Sequence, residues 1–434
     1  MIKKLSASFC LVFVMQLVKG QQDSSKWYTL HFQLTTVTQN HQTIKAPYSG
    51  PKSLQQKEKP STSLTTTLFA GVKLFKNTEL FVNPEMAGGE GMSGATGIAG
   101  FPNGETFRVG STKPVIYLAR AYLRHVIPLG SEKQWIDDDA NTIASVTPKK
   151  YISVYAGKLS LGDFFDDNSY SHDPREQFLN WSLMSAGAYD YAADVRGYTY
   201  AFVTEYVSPS WEARIATALL PEEANGAALD WKYSKSFSWQ GEVVRKWNDR
   251  HPRTTILRLI GFFNRSKMGN YKEALKYAIP DVIATRMYSR NKWGWVINAE
   301  RQVGKSSGAF GRLSWNDGKN ETWCFTEIDQ SASFGYTLKG NGWKRNDDEL
   351  GIAVIGNGIS KDHQNFLAAG GSGFIVGDGK LNYAPELIAE LYYKLLVLKG
   401  KIAISPDYQF VLNPAYNKDR GPVHVIGLRF HTEW

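Results

Sequence analysis

The sequence has very little cysteine and no long apolar run beyond its start, and each shortage excludes a class of protein. It holds two cysteines in 434 residues, and Cys10 lies inside an N-terminal apolar stretch. Cys324 is then left without a partner for an internal disulfide, and no zinc-type spacing exists. After the N-terminus no apolar run reaches the roughly 18 residues of a membrane-spanning helix. Helical membrane spans are therefore excluded, and the fold must be held by its backbone ladder and its packing.

The motifs of several enzyme classes are also missing. We find no serine nucleophile elbow, no zinc-binding helix and no phosphate loop. The segment Gly89–Gly94 formally matches the dinucleotide pattern G-x-G-x-x-G. It continues through Gly97 without a crossover helix, and the chain lacks the alternation of strands and helices that builds a parallel sheet. We therefore reject a dinucleotide site.

Aromatic residues and glycine, by contrast, are abundant. The chain contains 13 Trp, 22 Tyr, 22 Phe and 39 Gly, whereas its mean hydropathy is −0.34. A chain that is rich in aromatics and turns but not apolar overall favours one large barrel over two or three soluble domains.

The N-terminus predicts an export signal over residues 1–20. Lys3 and Lys4 precede an apolar run near Phe9 to Val18, and we expect cleavage after Gly20. Removal of three lysines and no acids would lower the net charge from +9 to +6. We assign this modest balance to basic lumen or loop residues and expect no nucleic-acid partner.

Many segments alternate apolar and polar residues over lengths that suit a membrane crossing. Ser61–Phe75 alternates over more residues than the about 5–6 of a typical soluble strand, and it matches the about 9–11 of a tilted membrane strand. The last segment, which ends on Trp434, has one apolar and one largely polar face, as in the closing strand of a membrane barrel. Sixteen strands are predicted, an even number typical of outer-membrane barrels: Trp27–Gln39, Ser61–Phe75, Leu80–Glu85, Val115–Pro128, Tyr151–Ser160, Tyr200–Val207, Trp211–Ala218, Ser236–Trp247, Thr254–Asn264, Lys292–Arg301, Ala309–Trp315, Thr326–Leu338, Leu350–Gly356, Glu386–Leu395, Ile402–Leu412 and Val423–Trp434.

The ionisable residues in these strands decide which face meets water. Glu212 and Arg214, for example, alternate with Trp211, Ala213 and Ile215. A lysine or arginine that faces hydrocarbon at the bilayer midplane costs about 2–4 kcal/mol, so the charged parity must face inward. A closed barrel also pairs every strand, which leaves no edge in the membrane. The fold class predicted is an all-β transmembrane antiparallel barrel with a wet interior, either a pore or a plugged channel.

A long irregular stretch from Asn168 to Arg196 combines acids, arginines and aromatics. Loops of this length inside a compact fold usually have a function. Flat aromatic rings over the C–H faces of sugars, with acids and arginines for the hydroxyl groups, are what a sugar-selective constriction needs. An ion-paired, aromatic-packed loop accounts for the same residues, and the two interpretations stay open at this point: Asp173, Arg175, Asp190, Asp194 and Arg196 with Trp181, Tyr189, Tyr191 and Tyr198.

Several ordered motifs resemble the carbohydrate-selective porins of Gram-negative outer membranes. They are Gly88–Gly91, Phe101–Glu105, Gln177–Trp181, Gly187–Thr199, Ala224–Gly226, Met268–Tyr271, Asn413-Pro414 and Gly421-Pro422. The resemblance covers nearly all of the chain after residue 20, and it implies a sixteen-stranded barrel in which an inward-folded constriction loop, mapped here onto about residues 167–197, admits sugars by diffusion. Tyr189 and Ala192 stand where the pattern of the family has Trp and Pro, which puts the sugar preference in doubt.

The leading hypothesis is therefore a passive outer-membrane channel for mono- or oligosaccharides and ions, without a cofactor or an energy source. Lipid and other copies of the chain are further expected partners, with monomer and trimer both open. The predicted pore residues are Asn83, Glu85, Arg120 and Arg124 on the wall, and Asp163, Arg175, Trp181, Asp190, Asp194 and Arg196 at the constriction.

Two alternatives remain. An exported all-β hydrolase of polysaccharides would need two carboxylates about 5–10 Å apart, such as Asp163 with Glu205 or Asp190 with Asp194. Carboxylates are too common for either pair to be specific. The other alternative is an outer-membrane barrel that does not transport.

Overall fold

The computed structural model describes residues 25–106, 112–248, 253–398 and 401–434, so the predicted export signal lies outside the described residues. In that part of the chain, no helix is long and apolar enough to cross a membrane. The strands are β1 (Tyr28–His41), β2 (Ser61–Phe75), β3 (Thr78–Gly89), β4 (Val115–Pro128), β5 (Lys133–Ile136), β6 (Ser145–Pro148), β7 (Tyr151–Leu159), β8 (Thr199–Val207), β9 (Trp211–Ala218), β10 (Phe237–Asn248), β11 (Thr254–Ser266), β12 (Arg290–Gln302), β13 (Ser307–Asn316), β14 (Gln330–Gly340), β15 (Arg345–Gly358), β16 (Glu386–Val397), β17 (Ile402–Leu412) and β18 (Val423–Glu433). The α-helices are α1 (Trp181–Met184), α2 (Tyr271–Ala274) and α3 (Lys361–Ala368).

Sixteen of these strands form one closed antiparallel barrel. The ring closes where β1 pairs with β18, from Gln33 opposite Glu433 to His41 opposite Val425. Strands that follow each other in the chain are neighbours in the ring, except that β4 pairs directly with β7. β5 and β6 form a separate two-stranded sheet between them. The predicted fold class is therefore confirmed, with all sixteen predicted strands present.

The bounds of some strands differ from the prediction. β15 begins at Arg345 rather than at Leu350. Its polar first residues still belong to the ladder with β14, where Arg345 pairs with Gly340 and Glu349 with Lys339. β14 begins at Gln330 rather than at Thr326, because the carboxylate of Glu327 binds the backbone N–H groups of Ile375 and Val376 in a neighbouring loop. The hairpin of β5 and β6 was not predicted.

The two faces of the barrel have the predicted chemistry. On β18 the side chains of Ile426 and Leu428 are 69% and 53% exposed, whereas those of Arg429 and His431 are 1% and 3% exposed. Apolar side chains therefore lie on the outer surface and charged side chains face the lumen. On the outside, exposed aromatic residues mark the two rims, as in the girdles at membrane interfaces: Trp27, Trp211, Trp247 and Trp434 at one end, and Tyr200, Trp231, Trp239 and Trp293 at the other.

The connections differ strongly between the two ends of the barrel. At the long-loop end they span residues 42–60, 90–114, 160–198, 219–236, 267–289, 317–329, 359–385 and 413–422. At the short-turn end they span 76–77, 208–210, 249–253, 303–306, 341–344 and 398–401, with a longer insertion at 129–150. Outer-membrane barrels have short periplasmic turns and longer extracellular loops. The long-loop end is therefore the outer side.

Two of the long connections fold into the lumen. The pore loop is defined here as residues 160–198, and the glycine loop as residues 90–106. Met92, Ile98 and Phe101 of the glycine loop are fully buried, as are Phe178 and Leu183 of the pore loop. They belong to one apolar cluster with inward side chains of the wall. The lumen is thus narrowed by packed loops over much of its cross-section.

If hydrocarbon contacts the outer face, an arginine placed there should lower the free energy of unfolding more at the middle of a strand than near its end. Leu259 lies in the middle of β11 and Leu74 near the short-turn end of β2, and both are exposed. We expect Leu259→Arg to lower the free energy of unfolding by about 2–4 kcal/mol and the matched control Leu74→Arg by about 0–1 kcal/mol. Urea titration in lipid vesicles measures both, and equal losses would contradict the membrane-facing assignment.

Candidate functional site: a charged cavity in the lumen

Buried carboxylates of the wall hold the inward loops in place. Glu390 on β16 accepts the backbone N–H groups of Leu179 and Asn180 in the pore loop (2.5 and 3.1 Å). Four residues earlier on the same strand, Glu386 accepts the N–H group of Gly100 in the glycine loop (2.8 Å). Backbone groups removed from water need partners, and the inward-facing acids supply them. Both loops are therefore fixed to the same strand.

Arginines of the wall bind the carbonyl groups of the pore loop. The guanidinium of Arg312 on β13 donates to the carboxylate of Asp166 (3.0 Å) and to the carbonyl group of Leu183 (2.8 Å). Arg429 on β18 donates to three carbonyl groups between residues 174 and 177 (2.6–2.9 Å). Because guanidinium carries five donors in a rigid plane, each arginine fastens several backbone groups at once.

The fixed loops leave a cavity of about 310 Å³ against the wall of β4. Its lining comes from Arg120, the pore loop, residues 104–106 of the glycine loop, Asn225, Cys324 and Phe325. Six of the ten predicted site residues line it: Arg120, Asp163, Arg175, Trp181, Asp194 and Arg196. The volume falls in the range of about 300–1,000 Å³ that small-molecule sites occupy.

Arg120 and Asp163 form the first charged pair of the cavity. Two N–H groups of the guanidinium donate to the two carboxylate oxygens at 2.7 and 2.5 Å. The arginine side chain is 9% exposed and that of Asp163 is 34% exposed, so the carboxylate faces the cavity. The ring of Tyr198 lies 5.1 Å from the guanidinium carbon. This pair is rigid and close to neutral.

Arg175 forms a second charged group on the pore loop. Its Nε donates to Glu105 at 3.2 Å, and an Nη lies 3.6 Å from Glu85. Asp173 accepts the backbone N–H group of Arg175 at 2.8 Å. Burial raises the pKa of Asp173, but the charge of Arg175 and the hydrogen bond from its backbone more than offset this, so that the pKa lies below its usual value. Asp173 therefore stays ionised at neutral pH.

Arg196 is presented by a tight turn that Asp194 stabilises. The carboxylate of Asp194 accepts the backbone N–H groups of Arg196 (2.8 Å) and Tyr198 (3.1 Å). Burial raises the pKa of Asp194 even though these N–H groups favour its charged form. The guanidinium of Arg196 lies 4.3 Å from the ring centre of Tyr117. Asp194 thus shapes the loop, while Arg196 lines the cavity with its guanidinium near Tyr117.

Trp181 lines the cavity and is mostly buried. Its indole lies near the rings of Phe101 and Phe325, with ring centres 5.3 and 6.2 Å away. Its N–H group donates to the carbonyl of Asn103 (2.9 Å), and the residue is 8% exposed. Little of the indole is therefore exposed, and stacking of a sugar on this ring stays a prediction.

The remaining predicted residues lie outside the cavity lining. Glu85 is buried behind it and accepts the hydroxyl group of Tyr198 (3.0 Å). Asn83 is fully buried and donates to Asn141 (2.9 Å). Arg124 lies nearer the short-turn end and binds Glu79 (3.1 Å), its register partner on β3. These three residues support the wall rather than the cavity surface.

Asp190, predicted at the constriction, is buried outside the cavity lining. Its carboxylate accepts three consecutive backbone N–H groups, those of Trp323, Cys324 and Phe325, at 2.7–3.1 Å. The residue is 2% exposed. Asp190 therefore joins the pore loop to the connection at 317–329 and does not line the pore, because its acceptor capacity is used by the backbone.

The two residues that differ from the family pattern, Tyr189 and Ala192, also lie behind the cavity. Tyr189 is 1% exposed, donates its hydroxyl group to Gln240 and packs on Phe262 with ring centres 5.4 Å apart. Ala192 is fully buried. These two positions act on the packing of the pore loop.

The two carboxylate pairs of the hydrolase interpretation are engaged elsewhere. Asp163 is bound to Arg120, while Glu205 is bound to Arg214 (2.6 Å) and Ser153 (3.0 Å) on the strands β9 and β7. Asp190 and Asp194 both accept backbone N–H groups, as described above. The described carboxylates thus fasten loops or neutralise arginines.

Glu105 and His172 line the cavity but were not predicted there, whereas Asp173 and Tyr198 were named in the loop without being assigned to the pore. Glu105 ends the glycine-rich motif, and the inward fold of that loop carries it to Arg175. Its signal in the sequence was the motif Phe101–Glu105, which does not by itself reveal a loop that folds inward. Tyr198 had been noted as an aromatic residue of the loop.

A closed sixteen-stranded barrel with an apolar outside, girdles and a loop-narrowed polar lumen defines an outer-membrane channel protein. The profile of the carbohydrate-selective porin OprB family matches residues 56–434. The chain therefore belongs to this family, and it is an outer-membrane porin of a Gram-negative bacterium through which sugars diffuse.

Solved structures agree in fold. The high-pH structure of Pseudomonas putida OprB is 15% identical, with 94% of each chain covered and a TM-score of 0.70. Its low-pH structure is 13% identical, with 99% of this chain and 98% of that chain covered and a TM-score of 0.50. The outer membrane channel DcaP of Acinetobacter baumannii is 8% identical, with 94% and 97% covered and a TM-score of 0.52. Comparison with curated proteins finds no match.

Removing the carboxylate of Asp163 should change the ion selectivity. In Asp163→Asn the guanidinium of Arg120 keeps its charge but loses its counter-charge, so we expect a several-fold shift toward anions. The reversal potential in a salt gradient measures this shift. Glu132→Gln is the control, because Glu132 is 79% exposed at the short-turn end and its charge is screened. An unchanged reversal potential in Asp163→Asn would contradict the cavity as the narrow part of the ion path.

Asp190→Ala should weaken the fold rather than the contacts with sugar. It leaves three buried N–H groups without their acceptor, and each unsatisfied buried group costs about 1–3 kcal/mol. We expect a large fall in the denaturant midpoint in vesicles. Asp167→Ala is the control on the same loop, because Asp167 has a side chain that is 56% exposed. Equal stability of the two variants would show that Asp190 does not hold the pore loop to the connection at 317–329.

Proposed function

We propose that the charged cavity is the constriction through which saccharides and small ions diffuse. The observation that carries this proposal is a cavity of about 310 Å³ in the lumen of a family member, lined by Arg120, Arg175 and Arg196 with acids beside them. Passive diffusion needs no moving part, cofactor or energy source. The loops that form the cavity are fastened to the wall at many points, which fits a channel of fixed width.

Hydrogen bonds from the charged groups would hold a sugar in passing. A guanidinium presents several N–H donors in one plane, and the carboxylate oxygens of Asp163 and Asp173 can accept further hydrogen bonds through their remaining lone pairs. A sugar hydroxyl group can both donate and accept, so it can bridge such neighbours. A net hydrogen bond in water is worth only about 0.5–1.5 kcal/mol, which lets the solute leave again.

Pairing of the charges favours neutral polyols. Arg120 is neutralised by Asp163, and Arg175 by Glu105. An anion or a cation that enters gains little from a pair that is already neutral, whereas a polyol can use donors and acceptors alike. Because only 8% of Trp181 is exposed, we assign recognition mainly to these polar groups.

The first experiment is planar-bilayer conductance with a panel of mono- and oligosaccharides. We expect a conducting channel whose current falls when a binding sugar is added, and sugar flux into liposomes that carry the protein. A silent bilayer despite verified insertion would overturn the proposal. Release of shorter products from oligosaccharides would favour the hydrolase alternative, and flux without product would separate the channel from a barrel that does not transport.

The role of Arg196 can be separated from a general effect of losing an arginine. Arg196→Met keeps the length of the stem but removes the donors, so we expect the sugar concentration that halves the current to rise several-fold. Arg245→Met is the matched control, because Arg245 also lies over an aromatic ring, that of Trp211 at 4.6 Å, but on β10 near the short-turn rim. The same sugar response in both variants would contradict a direct contact with Arg196.

A further inference from the structure

The insertion at residues 129–150 is the one feature of the short-turn end that the barrel itself does not require. The other connections at that end have two to five residues, whereas this one has 22 and contains the hairpin of β5 and β6. Between the two hairpin strands, residues 137–144 turn back into the lumen. Long connections in compact folds usually have a function, and the contacts of this segment point to one.

The tip of the segment touches the inner wall at the level of the cavity. Asn83 faces the lumen from β3, fully buried, and its side-chain amide donates to the side-chain oxygen of Asn141 (2.9 Å). In the register of β3 and β4, Asn83 is the partner of Arg120. The segment therefore reaches the strand position beside the Arg120–Asp163 pair, about half-way along β3.

An apolar anchor and a closed turn fix the tip. Ile143 is 1% exposed and belongs to a cluster with the inward rings of Phe81, Tyr122 and Tyr155. Residues 139–142 form a tight turn, in which the backbone groups of Asp139 and Thr142 exchange two hydrogen bonds (2.9 and 3.1 Å). The turn is thus a defined structure within the barrel.

The other side of the segment is tied to the first strand. Asp138 binds the ammonium group of Lys26 (2.8 Å) and lies 3.3 Å from His31 on β1. The carbonyl group of Ala144 accepts the backbone N–H group of Lys26 (2.9 Å). The segment consequently covers the lower inner wall from β1 to β7, which is the side on which Arg120 and the start of the pore loop form the cavity.

We propose that the turn at residues 139–142 forms a second constriction, through which a solute passes after it leaves the charged cavity on its way to the short-turn end. This inference rests on the proposed function, since it takes the cavity as part of the path. β13 lies half-way round the ring from β3. The solute then passes between the turn and the strands around β13.

The chemistry of the turn suits uncharged polyols. Its exposed surface is formed by Asp139 and Ala140, and the amide of Asn141 lies beside that of Asn83. These groups offer hydrogen bonds but no unpaired cation. A solute that leaves three arginines behind thus meets an amide and a carboxylate, which makes passage less favourable for anions than for neutral sugars.

Cysteine modification tests whether the turn borders the path. Ala140→Cys places a thiol on the exposed turn, and a charged methanethiosulfonate reagent then adds bulk there. We expect modification to lower the single-channel conductance about twofold or more, because bulk at a constriction limits the current. Ser131→Cys, an exposed position at the base of the same insertion, is the matched control and should leave the conductance unchanged.

The native thiol does not interfere with this experiment. Cys324 is 3% exposed, and burial raises the pKa of its thiol well above the usual value, so its thiolate is scarce. The unmutated chain treated with the reagent serves as a second control. Mass spectrometry of the recovered protein gives the extent of labelling.

A second experiment widens the passage instead of narrowing it, and it uses one variant with a matched control. Ile143→Asn removes the apolar anchor, whereas Val146→Asn changes a side chain that is 53% exposed on β6. We expect a larger conductance and faster entry of oligosaccharides for Ile143→Asn alone.

If labelled Ala140→Cys conducts like the unlabelled protein, the second constriction is overturned although the channel stands. If the unmutated protein does not conduct, the proposed function itself fails.

Discussion

Loops that enter the lumen carry backbone N–H and C=O groups away from bulk water, and these groups need partners. The wall supplies them from side chains that must face inward in any case, because hydrocarbon contacts the outside. Glu390 and Glu386 accept N–H groups of the two inward loops, and Arg312 and Arg429 donate to carbonyl groups. The position of the cavity depends on these bonds, since they decide where the loops lie.

The charged residues of the lumen therefore divide into two groups, those that attach loops by binding backbone groups, called fasteners here, and those that line the cavity. Asp190 looks like a pore residue in the sequence, but three backbone N–H groups occupy its carboxylate. Asp163 belongs to the same loop and faces the cavity. The motifs that resemble the family contain many fasteners, such as Asn180, whose amide bonds to the carbonyl of Gly100 (2.8 Å) and to Gln409 (2.9 Å). The motifs that resemble the family thus contain loop attachments as well as cavity residues such as Arg196.

The lumen is organised from both of its ends. From the long-loop end, the pore loop and the glycine loop fill much of the cross-section and leave the charged cavity near β4. From the short-turn end, the insertion lies along the wall below, held by Asn83, Ile143 and the bond between Lys26 and Asp138. Three arginines with their acids lie on one side of the Asn83 position and an amide-lined turn on the other. Neutral, hydroxyl-rich solutes are compatible with both environments.

The sequence alone determined the barrel, because a period of two in side-chain facing and the cost of charge in hydrocarbon leave one arrangement for each strand. Sixteen strands, their outward apolar faces and the inward parity of Arg120 and Arg124 followed from that. The tertiary structure alone decided which acids meet the cavity and that residues 137–144 turn inward. The deciding contacts join residues far apart in the chain, as Glu390 with Leu179 at a separation of 211 and Asp190 with Cys324 at 134. No local pattern encodes such pairings, since each depends on where a loop comes to rest inside the closed ring.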